Sequence, residues 1–338
     1  MIITKTPFRM SFFGGGTDIP DFFMKHGGSV ISTTFDKYVY ITIRHLPRFF
    51  TYSTELIYSK TERVTCIDDI EHPLVKNAMK MMDMHELHIA YDADLPARSG
   101  LGTSSTFAVG LINAFNCLKG KYLSKQQLAE KAIYLERTLC NEAGGWQDQI
   151  AAAVGGFNRI DFDSDGFHVN PIIISSDRKA KLNDNLMLYF SGFTRFSADI
   201  QKEAKKSMKN NVNSLIEIKN IVDEAQDILT NTSRDLDDFG RLLDKTWRLK
   251  RKTSENITTD LIDNIYNQGL KEGALGGKLL GAGGGGFMLF YVQPEKQEHF
   301  SKAMSNYMRV PFHFENSGTS VIYYSPETYE KSEMKEQL

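Results

Sequence analysis

The stretch Leu95-Pro96-Ala97-Arg98-Ser99-Gly100-Leu101-Gly102-Thr103-Ser104-Ser105-Thr106 constrains this chain more than any other. An alternating segment over 87–95 runs into it and reads as a strand, and an apolar, small-residue segment over 107–118 runs out of it and reads as a helix. Two glycines and a run of four hydroxyl residues, Thr103 to Thr106, therefore gather at a helix N-terminus. There the first amides have no intrahelical partner and the helix dipole is positive. Glycine lets the backbone approach a ligand closely, and the amides and hydroxyls can cradle phosphate oxygens. An ordinary cap after a turn asks for one Ser or Thr, not a run of them beside glycines. The pattern predicts a phosphate-binding loop.

It is not a loop of the Walker type, which needs Gly-Lys followed by Ser or Thr; the Gly-Lys pairs here run on into Tyr122 and Leu279. Nor is it that of a protein kinase. Asp238-Phe239-Gly240 spells that family's metal-binding triplet, but no His-Arg-Asp loop precedes it. A second glycine cluster, over 276–286, matches Gly-x-Gly-x-x-Gly at Gly281, Gly283 and Gly286. A dinucleotide fold would place a strand before it and a helix after it. Here a helical segment over 260–272 precedes it and an apolar strand-like run over 287–292 follows, so an oxidoreductase reading would rest on this loop alone. Its apolar flanks point to a glycine loop packed beside a ligand rather than a linker. A third cluster opens the chain: Arg9 and Asp18 bracket an apolar, glycine-rich turn with Gly14, Gly15, Gly16 and Thr17, and read as sugar or phosphate contacts.

Three such motifs in this order resemble the GHMP small-molecule kinase superfamily, which includes galactokinase, homoserine kinase and mevalonate kinase. Residues 7–18 are similar to its first motif, 100–105 to its second and 278–287 to its third, and the resemblance spans nearly the whole chain. Within the superfamily, Gly14-Gly15-Gly16-Thr17-Asp18 and Leu95-Pro96-Ala97-Arg98-Ser99-Gly100-Leu101-Gly102 are most similar to the bacterial D-glycero-D-manno-heptose 7-phosphate kinases, with bacterial fucokinase domains next. The resemblance implies an α+β fold of two domains, an N-terminal ribosomal-protein-S5-like domain and a C-terminal ferredoxin-like domain, with the active site in the cleft between them. It implies ATP and Mg²⁺ as cofactors and transfer of the γ-phosphoryl group to the anomeric C1 hydroxyl of the heptose 7-phosphate, in nucleotide-activated heptose biosynthesis. A fucokinase or other sugar-1-kinase is the alternative, and a catalytically silent nucleotide- and sugar-binding regulator a second.

The same resemblance assigns roles. Asp148 would be the catalytic base, with Arg9 beside it to hold it ionised and to offset charge on the transferring phosphoryl. Glu136, on a helix, and Ser104 would hold the metal, which takes hard oxygen ligands. Pro96, Ser99, Gly100, Leu101, Gly102, Thr103, Ser104 and Ser105 would line the ATP phosphates. Asp18, Gly16 and Thr17 would meet the sugar, and Gly283 and Gly284 would border it. Read without the family, Glu136 is a solvated helix charge and Asp148 a residue that suits a helix N-terminus. For the substrate's own phosphate, Arg195 in a polar turn after the strand over 186–190 is the candidate, with Arg98 second.

Composition sets the outer bounds. The chain has 338 residues, 41% of them hydrophobic, enough for two compact domains, and a formal net charge of −2, so no basic field draws nucleic acid or a membrane surface. Cys66, Cys117 and Cys140 form no disulfide or metal pattern and suit a reducing cytosol; Cys117 and Cys140 read as core. No apolar run is long enough to span a bilayer, and the N-terminus reads as a strand rather than a signal peptide. The expected location is the cytoplasm and the expected partner a small phosphosugar; a homodimer is left open. Periodicity predicts strands over 39–44, 87–94, 156–163, 186–190, 287–292 and 320–324, and helices over 73–82, 106–118, 124–139, 148–154, 198–229, 236–249, 260–272 and 295–308. The change of character near residue 181 predicts domains over 1–181 and 182–338.

Overall fold

The computed structural model describes residues 1–47, 49–97, 100–192, 211–253, 257–281 and 283–326. In chain order the strands are β1 Ile2–Phe13, β2 Gly28–His45, β3 Thr54–Ile57, β4 Thr61–Val64, β5 Leu87–Ala93, β6 Asn158–Asp163, β7 Gly166–Pro171, β8 Leu186–Gly192, β9 Gly276–Leu280, β10 Gly286–Tyr291, β11 Met308–Val310, β12 Phe314–Glu315 and β13 Ser320–Tyr324. The helices are α1 Pro20–His26, α2 Pro73–Met81, α3 Thr103–Leu118, α4 Lys125–Ile133, α5 Gln147–Val154, α6 Ser176–Asp184, α7 Val212–Thr230, α8 Asp237–Arg251, α9 Asp260–Lys271 and α10 Gln297–Ala303.

A large sheet carries the order β13-β1-β2-β5-β3-β4, with β6 and β12 also pairing β2 and β7 pairing β6. A smaller antiparallel sheet has the order β11-β8-β10-β9. The fold is thus α+β, two sheets with helices packed against them, as the motifs imply. One correction falls on the expected division at residue 181: β12 and β13, far beyond it, pair with β2 and β1 in the large sheet. Hydrogen-bonding to the chain's first two strands, not position in sequence, decides which layer they join.

Local chemistry explains where the elements begin. Pro73 opens α2, and Ser124 closes a reciprocal capping box with Gln127 at the start of α4. α3 can lie close on β1 and β2 because Gly110 has no side chain; a methyl group there would stand 2.8 Å from Thr6 Oγ1 and 3.1 Å from Ile41 Cδ1. The helix expected over 124–139 is interrupted: α4 ends at Ile133 and residues Tyr134–Leu139 wind as a π-helix, a widened turn that often marks a functional position. The first glycine motif is less turn than expected, since β1 runs through Phe13 and leaves only residues 14–18 to reverse the chain. Gly276–Leu280, read as part of a glycine loop, is a fully buried strand, so the third motif is a hairpin turn between β9 and β10.

The two sheets meet at the end of β1. Phe12 and Phe13 both set their rings edge-on to Phe239 of α8, with centroids 5.3 and 4.9 Å apart. Beside them Lys278 of β9 reaches across and donates to the carbonyl oxygens of Ser11 and Phe12, at 2.8 and 2.7 Å. This joint brings the three glycine segments to one place.

Candidate active site

The reversal after β1 is fastened from inside. Thr17 is fully buried, and its hydroxyl donates to the carbonyls of Gly14 and Ser29 while accepting from the Ser29 amide. The expectation that Thr17 touches substrate is therefore corrected: its side chain is committed to holding the turn. Next to it Asp18 turns into the cleft, where its carboxylate accepts from the Gly16 and Gln147 amides, at 3.0 and 3.1 Å, and from Gln147 Nε2 at 3.2 Å. Burial raises the Asp18 carboxyl above the ordinary carboxylate range and the nearby Asp148 adds to it, against the donors from Gln147 and Gly16. The approach is so close that a Cβ on Gly145 would lie 1.8 Å from Asp18 Oδ2.

Asp148 stands in the first turn of α5 and is gripped by Arg9 of β1. Arg9 Nε donates to Oδ1 and Nη2 to Oδ2, both at 2.7 Å, the parallel fork that guanidinium and carboxylate geometry favours. The third arm of Arg9, Nη1, donates to the Gly100 carbonyl at 3.0 Å. Gly100 in turn faces Gly281, so closely that a Cβ on Gly281 would stand 2.3 Å from Gly100 O, and one on Gly100 2.6 Å from Leu280 O. Both glycines have positive φ, 79° and 95°. The second and third glycine motifs are thus pressed backbone to backbone, and Lys250, near the end of α8, donates to Gly281 O at 2.6 Å.

One cleft gathers most of these groups. Arg9, Gly16, Asp18 and Asp148 line it from the first half of the chain, and Lys250 and Lys278 from the second. Burial holds Lys278 well below the usual lysine range, and the neighbouring cations Lys250 and Arg9 add to the effect. In the first turn of α3, Thr103 is half-buried, Ser104 exposed and Ser105 buried. Pro96 is half-buried ahead of it. Leu101 is fully buried in the core, so its side chain packs rather than lines a ligand site. Gly283 is buried against the backbone of Ile257, and the Gly284 amide donates to Ile257 O at 2.9 Å; the two border the cleft only through that residue, a correction to the expected sugar contact. Glu136 is buried in the π-turn, where Oε2 accepts from Gln149 Nε2 at 2.5 Å and Oε1 has no hydrogen-bond partner among the described residues. It is no solvated helix charge. Arg98, Ser99 and Arg195 lie outside the described residues.

Sequence reading missed Lys250 and gave Lys278 no role. For Lys278 a signal existed, a lone charge within Gly276–Leu280, between a helix and an apolar strand. For Lys250 there was none, because Arg248, Lys250 and Arg251 crowd the last turn of α8, where cations ordinarily answer the helix dipole. All three cysteines are free, Cys66 exposed and Cys117 and Cys140 half-buried rather than fully in the core. Among the described residues no cluster of three or more His, Cys, Asp or Glu could hold a metal ion, and no helix is long and apolar enough to cross a membrane.

Comparison with known proteins agrees with this architecture. Residues 73–156 match the family described as GHMP kinases N terminal domain, and residues 218–310 match GHMP kinases C terminal. The chain is 31% identical over 318 residues to D-glycero-alpha-D-manno-heptose 7-phosphate kinase of Campylobacter jejuni, covering 90% of this chain and 93% of that one. It is 25% identical to L-fucokinase/L-fucose-1-P guanylyltransferase of Bacteroides fragilis, over 87% of this chain but only 34% of that longer protein. Among solved structures, a D-glycero-D-manno-heptose 1-phosphate kinase from Bacteroides thetaiotaomicron superposes with a TM-score of 0.78 at 25% identity, over 96% of this chain and 99% of that one.

Proposed function

The chain belongs to the GHMP kinases and is a sugar kinase of that family, an ATP-dependent phosphotransferase with an alcohol acceptor; we propose that its acceptor is the anomeric C1 hydroxyl of D-glycero-D-manno-heptose 7-phosphate, giving the 1,7-bisphosphate. The observation that carries the sugar is the 31% identity, along nearly the full length of both chains, to the Campylobacter jejuni heptose 7-phosphate kinase. The cleft supports an acceptor that bears its own phosphate: Arg9, Arg137, Lys250 and Lys278 line it against the carboxylates of Asp18 and Asp148, an excess of positive charge.

In this reading Asp148 accepts the proton of the attacking hydroxyl. Arg9 fixes both carboxylate oxygens, and each keeps further acceptor capacity for that proton. The acceptor oxygen bonds to the γ-phosphorus, the β,γ-bridging oxygen departs with its electron pair on ADP, and the amides that open α3 hold the nucleotide phosphates. Asp18 receives the sugar hydroxyls. Arg195, which follows β8 in sequence, is our candidate for the acceptor's phosphate. A magnesium ion fits the residues present, since Glu136 Oε1 is a buried hard donor short of a partner and Ser104 offers an exposed hydroxyl at the start of α3. Glu136 and Ser104 would hold it, and it would supply positive charge to the nucleotide phosphates.

The test is ADP release with ATP and magnesium against heptose 7-phosphate, fucose, galactose and mannose, with the product read by phosphorus NMR. Turnover confined to heptose 7-phosphate, with the new phosphate on C1, is expected. A product phosphate at another carbon corrects the position. Turnover only with an unphosphorylated sugar, fucose above all, overturns the acceptor, and ATP binding without turnover on any sugar brings the silent regulator forward.

A further inference from the structure

We propose that Lys250 is a catalytic residue of this kinase, donating hydrogen bonds to the phosphoryl group while it passes from nucleotide to acceptor at the point where the second and third glycine motifs touch. The proposal rests on the reading of Asp148 and the glycine motifs given above and is independent of which sugar is the acceptor.

Three observations place it there. Lys250 Nζ donates to Gly281 O, Gly281 is pressed against Gly100, and Gly100 O accepts from the arginine that holds Asp148. The ammonium therefore lines the same cleft as Asp148 and stands, through Gly281, one backbone contact from Gly100 in the turn that opens α3. Second, its hydrogen-bond partner among the described residues is a neutral carbonyl. An ammonium carries three donors, so donors remain for a ligand. Third, no carboxylate pairs with it among the described residues. The charged groups that face it are Arg9 of β1, Asp18 after β1, Asp148 of α5 and Lys278 of β9. Arg9 is already neutralised by Asp148, and Asp18 is occupied by Gly16 and Gln147. Among the described residues Lys250 is left as a cation inside a cleft without a counterion of its own, an arrangement that favours an arriving anion.

Burial, with Arg9 adding to it and Asp18 and Asp148 opposing, brings the Lys250 ammonium down to about 8. It is protonated at neutral pH and loses its proton just above. During transfer the acceptor-oxygen to phosphorus bond forms, the bond from phosphorus to the β,γ-bridging oxygen breaks with its electron pair leaving on ADP, and the acceptor's proton goes to Asp148. Lys250 keeps its proton throughout and donates to the non-bridging oxygens, over which the charge of the transferring group is spread in the transition state.

A phosphate carried by the sugar would offer the same chemistry to Lys250, and kinetics separate the two sources. Lys250→Met and Lys250→Arg are compared on whichever sugar the wild type phosphorylates. Loss of a transition-state donor should lower kcat about 100-fold in Lys250→Met, with the KM values for ATP and sugar within about threefold. Lys250→Arg should recover part of the rate. The wild-type kcat/KM should fall above pH about 8, and that limb should vanish in Lys250→Met and move to higher pH in Lys250→Arg. A rise confined to the sugar's KM would reassign Lys250 to the acceptor's phosphate and overturn the proposal, as would a kcat within about twofold of wild type. A second measurement needs no sugar: ADP and magnesium, with and without aluminium fluoride, are bound to wild type and variant. Wild type should gain affinity from the fluoride and Lys250→Met should lose that gain while binding ADP alone equally; equal gains overturn the proposal. Should Lys250→Met melt well below wild type, Lys250→Gln carries both measurements. Turnover on fucose instead of heptose 7-phosphate would sink the acceptor assignment while leaving this test intact.

Discussion

Of the four cations that line the cleft, Arg137 donates to the Ala143 and Gly145 carbonyls, while Arg9 and the two lysines are handled in opposite ways. Arg9 comes from the first half of the chain and is fully answered, with both arms of its fork on Asp148 and the third on Gly100 O. Lys250 and Lys278 come from the second half and, among the described residues, are answered only by carbonyls, of Gly281, Ser11 and Phe12. Desolvating a charge is expensive unless it is paired, and the depressed lysines record that expense. The first half thus contributes a finished pair, oriented and electrically neutral. The second half contributes unpaired positive charge, which an anionic ligand would complete.

The strongest way to break this contrast is to dismantle the finished pair. With Asp148→Asn, Arg9 keeps a hydrogen-bond acceptor but loses its counterion and the proton acceptor is gone. The turnover number should fall by about 10²–10⁴-fold, while ATP binding measured by calorimetry stays close to wild type. An Asp148→Asn enzyme of full activity would remove Asp148 from the chemistry altogether. A smaller effect follows from Glu136→Gln, which exchanges a carboxylate for an amide of the same shape. The magnesium concentration needed for half-maximal rate should rise by at least about tenfold, with the melting temperature in the absence of metal little changed. An unchanged magnesium requirement would return Glu136 to a purely structural partner of Gln149.

The contrast also explains what could be read in the sequence. The pair was legible only through the family resemblance; read alone, Arg9 is a charge before a glycine-rich turn and Asp148 a residue suited to the head of a short helix. The loop before α3 was legible because hydroxyl residues and glycines at a helix start have a direct physical meaning. Lys250 was not, since only the tertiary meeting of α8 with Gly281 distinguishes it from Arg248 and Arg251 beside it. Thr17 misled for a related reason. A hydroxyl in a glycine-rich turn suits ligand contact and turn fastening equally, and only the Ser29 backbone, twelve residues on, decides between them. The placement of β12 and β13 in the large sheet likewise depends on long-range pairing that periodicity does not encode.

A gentler perturbation probes the seam between the two halves. Gly281→Ala would set a methyl group 2.3 Å from Gly100 O at a φ of 95°. Gly166→Ala has comparable backbone strain, φ 127°, but nothing within 4 Å of its Cβ. Strain alone should cost each variant on the order of 1–3 kcal/mol of unfolding free energy. Gly281→Ala should lose more than Gly166→Ala, and only Gly281→Ala should lose activity. Equal losses of stability with activity retained in both would mean that the seam between the two glycine motifs does not matter for function.

The smallest effect tests the unpaired charge itself. Lys278 is held well below the usual lysine value in the folded protein, chiefly by burial, and returns toward the ordinary 10.5 on unfolding. Between those two values the unfolded chain binds more protons than the folded one, so this residue makes stability rise with pH across that window and places its cost below it. The slope contributed by one such group is at most about 1.4 kcal/mol per pH unit. Lys278→Met removes the titration but also leaves the Ser11 and Phe12 carbonyls without their donor, a loss that does not depend on pH. The two contributions therefore separate when urea unfolding of wild type and variant is compared from neutral to alkaline pH. The vertical offset reports the lost hydrogen bonds, and a difference that grows with pH in favour of the wild type reports the buried charge. Lys250 titrates in both proteins and cancels to first order. A difference that stays flat with pH would mean that Lys278 carries no penalty for its charge, and of the two lysines Lys250 alone would then stand unanswered among the described residues.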